Sequence, residues 1–310
     1  WLTKRFIKDC FINENNILPL SGTKEGLFAI SMALNIKNII VPNPFYQVYL
    51  GASLFGNTKN IFLLSNESNN YLIDLKKLKS ELNKGPALIY FCSPTNPQGK
   101  IADSNFIEEL IKITRYYKSV LVIDECYIDI YYKKKPTGTL EVCNKLGKKL
   151  DNVLIFHSLS KRSNVAGLRS GFVTGDEKII KLFKKLRNYS APTIPIPLQI
   201  ASAMLWKDDK HVKENREKYL KKILLADKLF AKYKFYKSPE AGFFLWLKVE
   251  DGEEFTKSVY SRYGLKVMPG KYLAYGKKNN PGKNFIRIAL VHDYNKNKNA
   301  LIKITKMLKC

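Results

Sequence analysis

The stretch VLIFHSLSKRSNVAGLRSGFVTG, residues 153–175, consists of two short apolar runs joined by a polar loop. The runs VLIF at 153–156 and GFVTG at 171–175 are rich in β-branched and aromatic residues. Such runs are typical of strands that are buried on both faces of a sheet. Lys161 lies in the loop, soon after the first run. The stretch therefore predicts a buried sheet with a lysine at one strand end.

Similar apolar runs alternate with amphipathic, helix-length stretches on the N-terminal side of this segment. This alternation is typical of the α/β class, in which helices cover a mostly parallel central sheet. The predicted strands are NIIVP ending near Pro42, NIFLL at 60–64, ALIYF at 87–91 and VLVID at 120–124. The opening residues 1–10 have the pattern of an amphipathic helix.

The pattern changes after residue 192, where the proline-broken loop APTIPIP precedes a long charged segment. Residues 198 to about 231 have helical periodicity and predict a single connecting helix. The rest predicts a smaller α+β domain with strands KFYKS, GFFLWLKV, LKVMP and FIRIAL and with helices at about 252–262 and 294–308. We therefore expect a large domain over 1–215 and a small C-terminal domain over 216–310.

The chain of 310 residues carries a formal net charge of +26. Clustered basic residues would indicate nucleic-acid binding, because they neutralise phosphates. Only eight of the 53 basic residues are arginines, however, and the lysines are scattered along the whole chain. This distribution is typical of solvated faces, so we expect no nucleic-acid partner.

The five cysteines are widely spaced, form no C-x-x-C pair and do not pair with histidines at metal spacing. We therefore expect neither a disulfide framework nor a metal site. The sequence contains no apolar run of membrane-spanning length and no signal-peptide pattern. We expect a cytoplasmic protein without a membrane partner.

Polar residues follow the predicted strands, at the sheet edge where open α/β proteins bind their ligands. Lys161 is flanked by Ser158, Ser160 and Arg162, with Arg169 further on. A lysine amine that lies near other cations and away from water is biased towards its neutral, nucleophilic form. Hydroxyl groups and an arginine fork suit a phosphate dianion. In a chain so rich in lysine, the alternative is a solvated surface charge.

The segment SGTKEG, residues 21–26, opens a predicted amphipathic helix. Gly22 and Thr23 would present backbone N–H groups and the positive end of the helix dipole to an anion. The alternative is that Ser21 only caps the helix.

Asp124 ends the apolar run VLVID, where an unpaired buried carboxylate would be costly. It therefore requires a partner, which is either a lysine or the protonated ring nitrogen of a ligand. Asn96 and Tyr127, each just beyond a predicted strand, would then hydrogen-bond a phenolic oxygen on the same ring. Tyr46 in NPFYQVY would supply an aromatic face, or else pack as an ordinary helix residue.

Arg287 lies inside the apolar run FIRIAL, where a guanidinium is rarely buried without an anion to bind. The sequence leaves two interpretations open. Arg287 clamps a substrate carboxylate, or it forms a salt bridge within its domain.

The segment SLSKRSNVAGLRSGF resembles the class I/II, fold-type I aminotransferases, whose signature is S-x-S-K followed by Gly-x-Arg. The resemblance continues in the family's order over essentially the whole chain, through SGTKEGL, NPFYQVY, SPTNPQGK, DECY, the lysine block and FIRIAL. It implies the large domain of that fold, pyridoxal 5′-phosphate as the cofactor, and amino-group transfer between an amino acid and a 2-oxo acid.

The resemblance also implies a role for each matched residue. Lys161 would carry the cofactor as a Schiff base and then move the substrate's α-proton as general base and acid. The other implied contacts are the phosphate with Gly22, Thr23, Lys24, Ser158, Ser160 and Arg169, the ring nitrogen with Asp124, the ring oxygen with Asn96 and Tyr127, the ring face with Tyr46, and the substrate carboxylate with Arg287.

Within the class, the strings SKRSNV, NPFYQVYLGA and SGTKEGLFA look like the N-succinyldiaminopimelate aminotransferases of lysine and cell-wall precursor biosynthesis. That resemblance implies transfer between glutamate and a keto-pimelate, in a homodimer whose active site lies between the subunits. Family members carry a further segment before the position of Trp1, so we expect part of the small domain to be missing from this chain.

Two alternatives stay open. The same lysine, aspartate and arginine roles serve aspartate transamination, aromatic transamination and β-elimination, which substrate screening separates. An aminotransferase-like domain of a transcriptional regulator belongs to a different functional class, and a DNA-reading segment upstream of Trp1 would support it.

Overall fold

The short apolar runs form the strands of one large sheet in the computed structural model, which describes residues 1–6, 11–54, 58–190 and 193–308. The strands are Ile17–Leu20 (β1), Asn38–Asn43 (β2), Lys59–Leu64 (β3), Ala87–Cys92 (β4), Val120–Asp124 (β5), Val153–Ser158 (β6) and Gly171–Gly175 (β7). The strands predicted from the sequence are therefore confirmed within one or two residues.

The strand order of the large sheet is β1-β7-β6-β5-β4-β2-β3. The strands β2 to β6 pair in parallel, whereas β7 runs antiparallel to both of its neighbours, β6 and β1. The prediction of a mostly parallel sheet is confirmed. Because β7 is reversed, the loop before it lies at the same edge as the carboxyl ends of the other six strands. This edge brings together residues that are far apart in sequence.

The edge strand β1 is absent from the sequence prediction. It has only four residues, and Pro19 interrupts its apolar pattern. Pro19 lies opposite Phe172 at the border of the sheet, which is where a strand tolerates a residue without an N–H group.

Helices cover the sheet and bury a separate apolar core on each face. Leu121 and Ile123 of β5 face one core, and Val120 and Val122 face the other, so the alternation of side chains places Asp124 on the second face. The helices are Leu2–Phe6 (α1), Thr23–Ala33 (α2), Gln47–Gly51 (α3), Leu75–Leu82 (α4), Ser104–Tyr116 (α5), Thr139–Lys145 (α6), Leu159–Arg162 (α7), Glu177–Ser190 (α8), Ile196–Lys207 (α9), Lys210–Phe230 (α10), Gly252–Tyr263 (α11) and Tyr294–Thr305 (α12).

The C-terminal residues form a separate small antiparallel sheet, as the predicted α+β part requires. Its strands are Phe244–Lys248 (β8), Met268–Pro269 (β9) and Phe285–Ala289 (β10), in the order β8-β10-β9. With residues of α10, α11 and α12 they enclose a third apolar core. The predicted boundary between residues 215 and 216 falls inside α10, and it stays a prediction.

The segment KFYKS, residues 234–238, is not a strand, so that prediction is wrong. The Tyr236 N–H donates to the Tyr233 carbonyl in a turn, and the Tyr236 hydroxyl donates to Asp227 at 2.7 Å. The aromatic residues that suggested a strand pack against the C-terminal core instead. Of LKVMP, only the last two residues lie in a strand.

The predicted single helix over 198–231 is also wrong, because the chain forms two helices there. The first, α9, ends at Lys207, and Asp208 accepts the Lys210 N–H at 2.8 Å where α10 begins. Two other predictions fall partly outside the described residues, namely the opening helix beyond residue 6 and the first two residues of APTIPIP.

The described thiols of Cys92, Cys126 and Cys143 are free, and Cys10 and Cys310 lie outside the described residues. Within the described part of the chain, the structure has no cluster of metal-ligating side chains. A search of the same residues finds no helix with the length and apolarity to span a bilayer.

Candidate active site

Lys161 lies in the single-turn helix α7, directly after β6. Ser158 caps this turn, because its Oγ atom accepts the Ser160 N–H at 3.1 Å. The cap ends the strand and starts the turn at the edge of the sheet. The turn thereby holds Lys161 beside the residues that follow β5 and β4.

The surroundings of Lys161 favour a neutral amine. Burial lowers the pKa of Lys161, and the Arg287 guanidinium acts in the same direction, while Cys126 and Asp124 oppose the shift. The Nζ atom lies 5.4 Å from the centre of the Phe243 ring. An amine held in this way is a better nucleophile and base near neutral pH than a solvated lysine.

Asp124 is 4% exposed at the end of β5, and neutral groups hold its carboxylate. Oδ2 accepts the Tyr49 hydroxyl at 2.9 Å, and Oδ1 accepts the Cys126 N–H at 3.1 Å. Burial raises the pKa of Asp124, while the hydrogen bonds from Cys126 and Tyr49 and the charge of Lys161 oppose that shift. A ligand cation next to this carboxylate would stabilise its charged form.

Two tyrosines of the segment NPFYQVY lie at this carboxylate. Tyr46, at the start of α3, packs edge-to-face on Tyr49 with the ring centres 5.7 Å apart. Burial, with the nearby charge of Asp124, raises the pKa of Tyr46 to about 12. Tyr49 stacks on Tyr90 at 4.9 Å. Tyr46 therefore offers an aromatic face, and Tyr49 fixes the carboxylate.

Arg287 lies on β10, the central strand of the small sheet, and Asn96 is its hydrogen-bond partner among the described residues. Nη1 donates to Asn96 Oδ1 at 2.9 Å, and the guanidinium lies 4.4 Å from the centre of the Phe244 ring. The buried Nε has no hydrogen-bond partner in the described part of the chain. Burial lowers the pKa of Arg287. A guanidinium with an unused donor suits a carboxylate ligand better than an internal salt bridge.

Tyr127 connects the lysine and arginine regions. Its buried ring contacts Phe243 at 5.7 Å and Phe244 at 5.5 Å, both edge-to-face. Phe243 is the ring beside Lys161, and Phe244 is the ring beneath Arg287. The aromatic pair at the start of β8 therefore joins the two sheets at the site.

A candidate anion site, called the anion seat below, lies where β1 meets α2. Gly22 begins the helix with φ +85°, and Arg169, itself at φ +55°, donates from Nη2 to the Ser21 carbonyl at 3.1 Å. A Cβ atom on residue 22 would lie 2.3 Å from that Nη2 atom. Glycine is therefore required for the guanidinium to lie against the start of α2, where N–H groups attract an anion.

Ser21 is not the helix cap. Gly22 occupies the cap position, and the Ser21 N–H donates to the Glu25 carboxylate at 3.2 Å. Thr23, the first helical residue, lies 3.2 Å from Cys126 through its Oγ1 and the cysteine Sγ. The start of α2 is therefore in direct contact with the loop that follows Asp124.

Two basic residues lie next to the predicted phosphate site. Lys24 is exposed on the first turn of α2, and the phosphate contact expected of it stays a prediction. Arg162 is buried and binds Asp129 and Asp209, away from Lys161. The other predicted residues lie around the carboxyl edge of the sheet.

The arrangement fits pyridoxal phosphate, since it combines a helix start that suits an anion, a buried carboxylate that favours a cationic partner, an aromatic face and an amine whose pKa burial lowers. Sequence reasoning overlooked four neighbours that complete it, namely Tyr49, Cys126, Phe243 and Phe244. Tyr49 repeats Tyr46 at a spacing of three on one helix face, and the phenylalanine pair follows Gly242; both signals were present in the sequence.

The family model for aminotransferase class I and II matches residues 5–304. Among curated proteins, the chain is 33% identical to an LL-diaminopimelate aminotransferase of Natranaerobius thermophilus, over 94% of this chain and 75% of that protein. The chain therefore matches about three quarters of the length of that relative.

Solved structures agree with this family. An aminotransferase of Neisseria meningitidis superposes with a TM-score of 0.91 and 35% identity, covering 100% of this chain and 80% of that one. A probable N-succinyldiaminopimelate aminotransferase of Thermus thermophilus has a TM-score of 0.85 and 25% identity, covering 94% and 78%.

Proposed function

The chain belongs to the class I and II aminotransferases, and from this membership we propose that it transfers an amino group between a diaminopimelate-type amino acid and a 2-oxo acid. Enzymes of this family use pyridoxal 5′-phosphate. The observation that carries the proposal is that Lys161 and Asp124 lie together at the carboxyl edge of the large sheet, with Arg287 of the small sheet near enough to help lower the pKa of Lys161.

The residues of the sheet edge offer a contact for each part of the cofactor. The start of α2 at Gly22 and Thr23, with Arg169, would hold the phosphate together with Ser158 and Ser160. When bound, the cofactor supplies an electron sink for the carbanion at the substrate's α-carbon.

The opposite end of the site would hold the ring. Asp124 would keep the ring nitrogen protonated, because the carboxylate is buried without a charged partner in hydrogen-bond contact. Asn96 and Tyr127 would contact the ring oxygen, and Tyr46 would cover one face. The rigid hydrogen bonds of Tyr49 to Asp124 and of Arg287 to Asn96 would keep these groups in place.

Lys161 would be the catalytic residue. Burial lowers the pKa of Lys161 and so favours the neutral amine, which would take the proton from the substrate's α-carbon and return it later. Arg287 would bind the α-carboxylate and thereby fix the α-carbon within reach of that amine.

For the substrate, N-succinyl-diaminopimelate with glutamate is the first candidate. The strings SKRSNV and NPFYQVYLGA and the Thermus structure support it. Unmodified LL-diaminopimelate is the second, because the relative with 33% identity is named for that substrate. Either would place the protein in lysine and cell-wall precursor biosynthesis in the cytoplasm.

We also propose a two-fold homodimer. One face of α9 supports it, because Ile196, Ile200 and Met204 recur every four residues and are 71%, 59% and 68% exposed. Monomers rarely leave such a stripe uncovered. Sizing chromatography should give a dimer that Met204→Lys converts to a monomer, and a catalytically active wild-type monomer would contradict the proposal.

The substrate proposal is tested by loading the purified protein with pyridoxal phosphate and measuring transamination of each donor with 2-oxoglutarate. We expect kcat/KM for one diaminopimelate form to exceed that for aspartate or an aromatic amino acid by at least about tenfold, the discrimination that one well-matched polar contact gives. Turnover of aspartate alone would overturn the diaminopimelate assignment.

A matched pair of lysine variants tests the role of Lys161. Lys161→Ala should lower kcat by about 10³-fold or more, because it removes the general base. Lys112→Ala, on the exposed face of α5, should leave kcat unchanged. Equal activities of the two variants would contradict the assigned role.

A further inference from the structure

The three residues that follow Lys161 each bond to the same distant part of the chain. Arg162, Ser163 and Asn164 all contact the corner between α9 and α10, or α10 itself. None of these three residues is among those proposed to contact the cofactor or the substrate. They connect the loop of the reacting amine to the helix that leads into the small sheet.

Arg162 makes the largest set of these contacts. Its Nη1 donates to the Leu205 carbonyl at 2.7 Å, and its Nη2 donates to Asp209 Oδ1 at 2.8 Å and to the Asp208 carbonyl at 3.3 Å. Nε lies 3.3 Å from Asp129 Oδ2, and the side chain is 3% exposed. A planar guanidinium can serve all of these acceptors at once, whereas a lysine ammonium cannot.

Ser163 and Asn164 add two side-chain links. The Ser163 Oγ atom lies 2.8 Å from His211 Nε2, and His211 Nδ1 lies 2.6 Å from Asp208 Oδ2. The Tyr219 hydroxyl donates to Asn164 Oδ1 at 2.9 Å. Two positions on α10, His211 in its first turn and Tyr219 about two turns later, therefore hold Ser163 and Asn164 of the lysine loop.

The middle of α10 is fixed to the strand that carries Arg287. Lys222 is only 8% exposed, and its Nζ donates to the Leu290 carbonyl, just beyond β10, at 3.0 Å. Burial lowers the pKa of this lysine, so its position is held against a desolvation penalty. The same helix thus contacts the loop of Lys161 and the end of the Arg287 strand.

We propose that α10 is a strut that sets the distance between the Lys161 amine and the Arg287 guanidinium, with Arg162 as its principal positioning residue. The inference rests on the proposed function, in which these two groups act on one substrate. Near-attack geometry is sensitive to displacements of about 1 Å, so a loosened strut lowers the rate of proton transfer more than it weakens binding.

Arg162→Lys tests the lysine end of the strut, and Arg115→Lys is its matched control. Arg115 also donates to two backbone carbonyls, those of Lys149 and Asp151, but it lies on α5. We expect Arg162→Lys to lower kcat about tenfold with KM for the amino donor within about twofold, the pattern of a lost transition-state interaction. Arg115→Lys should change neither parameter.

A second readout does not depend on turnover. In the cofactor-free protein, Arg162→Lys should speed hydrogen exchange of the amides of residues 159–170 by about tenfold, because the loop opens more easily. If wild-type protein shows no transamination, the proposed function fails, and this readout still tests the strut. Exchange and kcat identical to those of Arg115→Lys would overturn the inference.

The connection between the two ends is tested with a double variant. If Arg162→Lys and Lys222→Met each lower kcat/KM about tenfold, a shared strut predicts a combined loss of about 20-fold, whereas independent sites predict about 100-fold. A multiplicative loss would overturn the strut. Should Arg162→Lys fail to fold, Tyr219→Phe, which removes only the hydroxyl bond to Asn164, takes its place in the same cycle.

Discussion

Asp124 and Glu125 are adjacent carboxylates at the end of β5, and they lie on opposite faces of the sheet. Asp124 accepts two hydrogen bonds, and the nearby Lys161 opposes the effect of burial on its pKa. Glu125 is 2% exposed, and its Oε1 accepts both the N–H and the hydroxyl of Thr139 at 2.7 Å. Its Oε2 lies 3.4 Å from the Nε2 atom of His157.

Burial raises the pKa of both carboxyls, but different neighbours surround them on the two faces. Burial raises the pKa of Glu125 to about 7, and burial, helped by Arg5 and Arg162, lowers the pKa of His157 to about 3. The face that carries Glu125 and His157, here called the lower face, therefore holds two neutral groups between about pH 3 and pH 7. On the upper face, which carries Asp124, burial also raises the pKa of the carboxyl, but the hydrogen bonds from Cys126 and Tyr49 and the charge of Lys161 oppose that shift. Because consecutive residues of a strand face opposite ways, Asp124 lies at the candidate active site and its neighbour Glu125 lies in a purely structural environment.

We expect the largest difference in kcat between Asp124→Asn and Glu125→Gln, which each replace a carboxylate by an amide, on opposite faces of the sheet. Asp124→Asn should lower kcat about 10²-fold, the scale of losing one electrostatic contact in an active site. Glu125→Gln should stay within about threefold, because an amide can still accept the Thr139 bonds. Steady-state kinetics with the best donor give both values. Equal losses would show that the faces do not differ in function.

The pH dependence of stability separates the two neutral groups of the lower face. With its pKa raised from 4.5 to about 7, Glu125 contributes stability that is complete below pH 4.5 and is lost as the pH rises to 7. With its pKa lowered from 6.5 to about 3, His157 contributes stability that is complete above pH 6.5 and is lost as the pH falls to 3. Between pH 4.5 and 6.5 the two dependences cancel.

In each single variant, the pH dependence of the free energy of unfolding should be that of the titrating residue that remains. Relative to the parent between pH 4.5 and 6.5, unfolding free energy should rise with pH in Glu125→Gln and fall with pH in His157→Gln, by up to about 1.4 kcal/mol per pH unit. Urea titrations at several pH values measure both slopes. Parental slopes in both variants would contradict the neutral pair.

A smaller effect tests the anion seat of the upper face. Gly22→Ala should weaken binding of pyridoxal phosphate about tenfold, because the new Cβ displaces the Arg169 guanidinium and strains a backbone at positive φ. Gly147→Ala is the control, since Gly147 has φ +84° and nothing within 4 Å of its Cβ position. Fluorescence titration gives both affinities. Gly147→Ala should bind the cofactor like the parent, and a parental affinity in Gly22→Ala as well would contradict the role of the contact between residue 22 and Arg169.

The sequence predicted the sheet well because its central strands are buried on both faces, which makes their apolar runs continuous. It did not predict β1, where Pro19 interrupts four residues, or the break between α9 and α10, where a capping contact of Asp208 overrides helical periodicity. Local patterns also predicted a strand wrongly at KFYKS, where Phe235 and Tyr236 pack against the C-terminal core and the Tyr236 hydroxyl donates to Asp227.

The candidate site, too, could be predicted from the sequence only in part. Strand-end position and the family resemblance led to Lys161, Asp124 and Arg287. The contact of Tyr49 with Asp124, 75 residues apart, and that of Arg162 with Leu205, 43 residues apart, depend on tertiary packing. No spacing rule within a single sequence encodes such contacts, so they required the structure.

Attachment of the cofactor to Lys161 can be measured directly. The protein is incubated with pyridoxal phosphate, reduced with borohydride, digested and mapped by mass spectrometry. The reduced adduct should lie on Lys161, and Lys161→Ala should lack both this adduct and the visible absorbance of the lysine-bound cofactor. An adduct on another lysine, with absorbance that survives in Lys161→Ala, would contradict it.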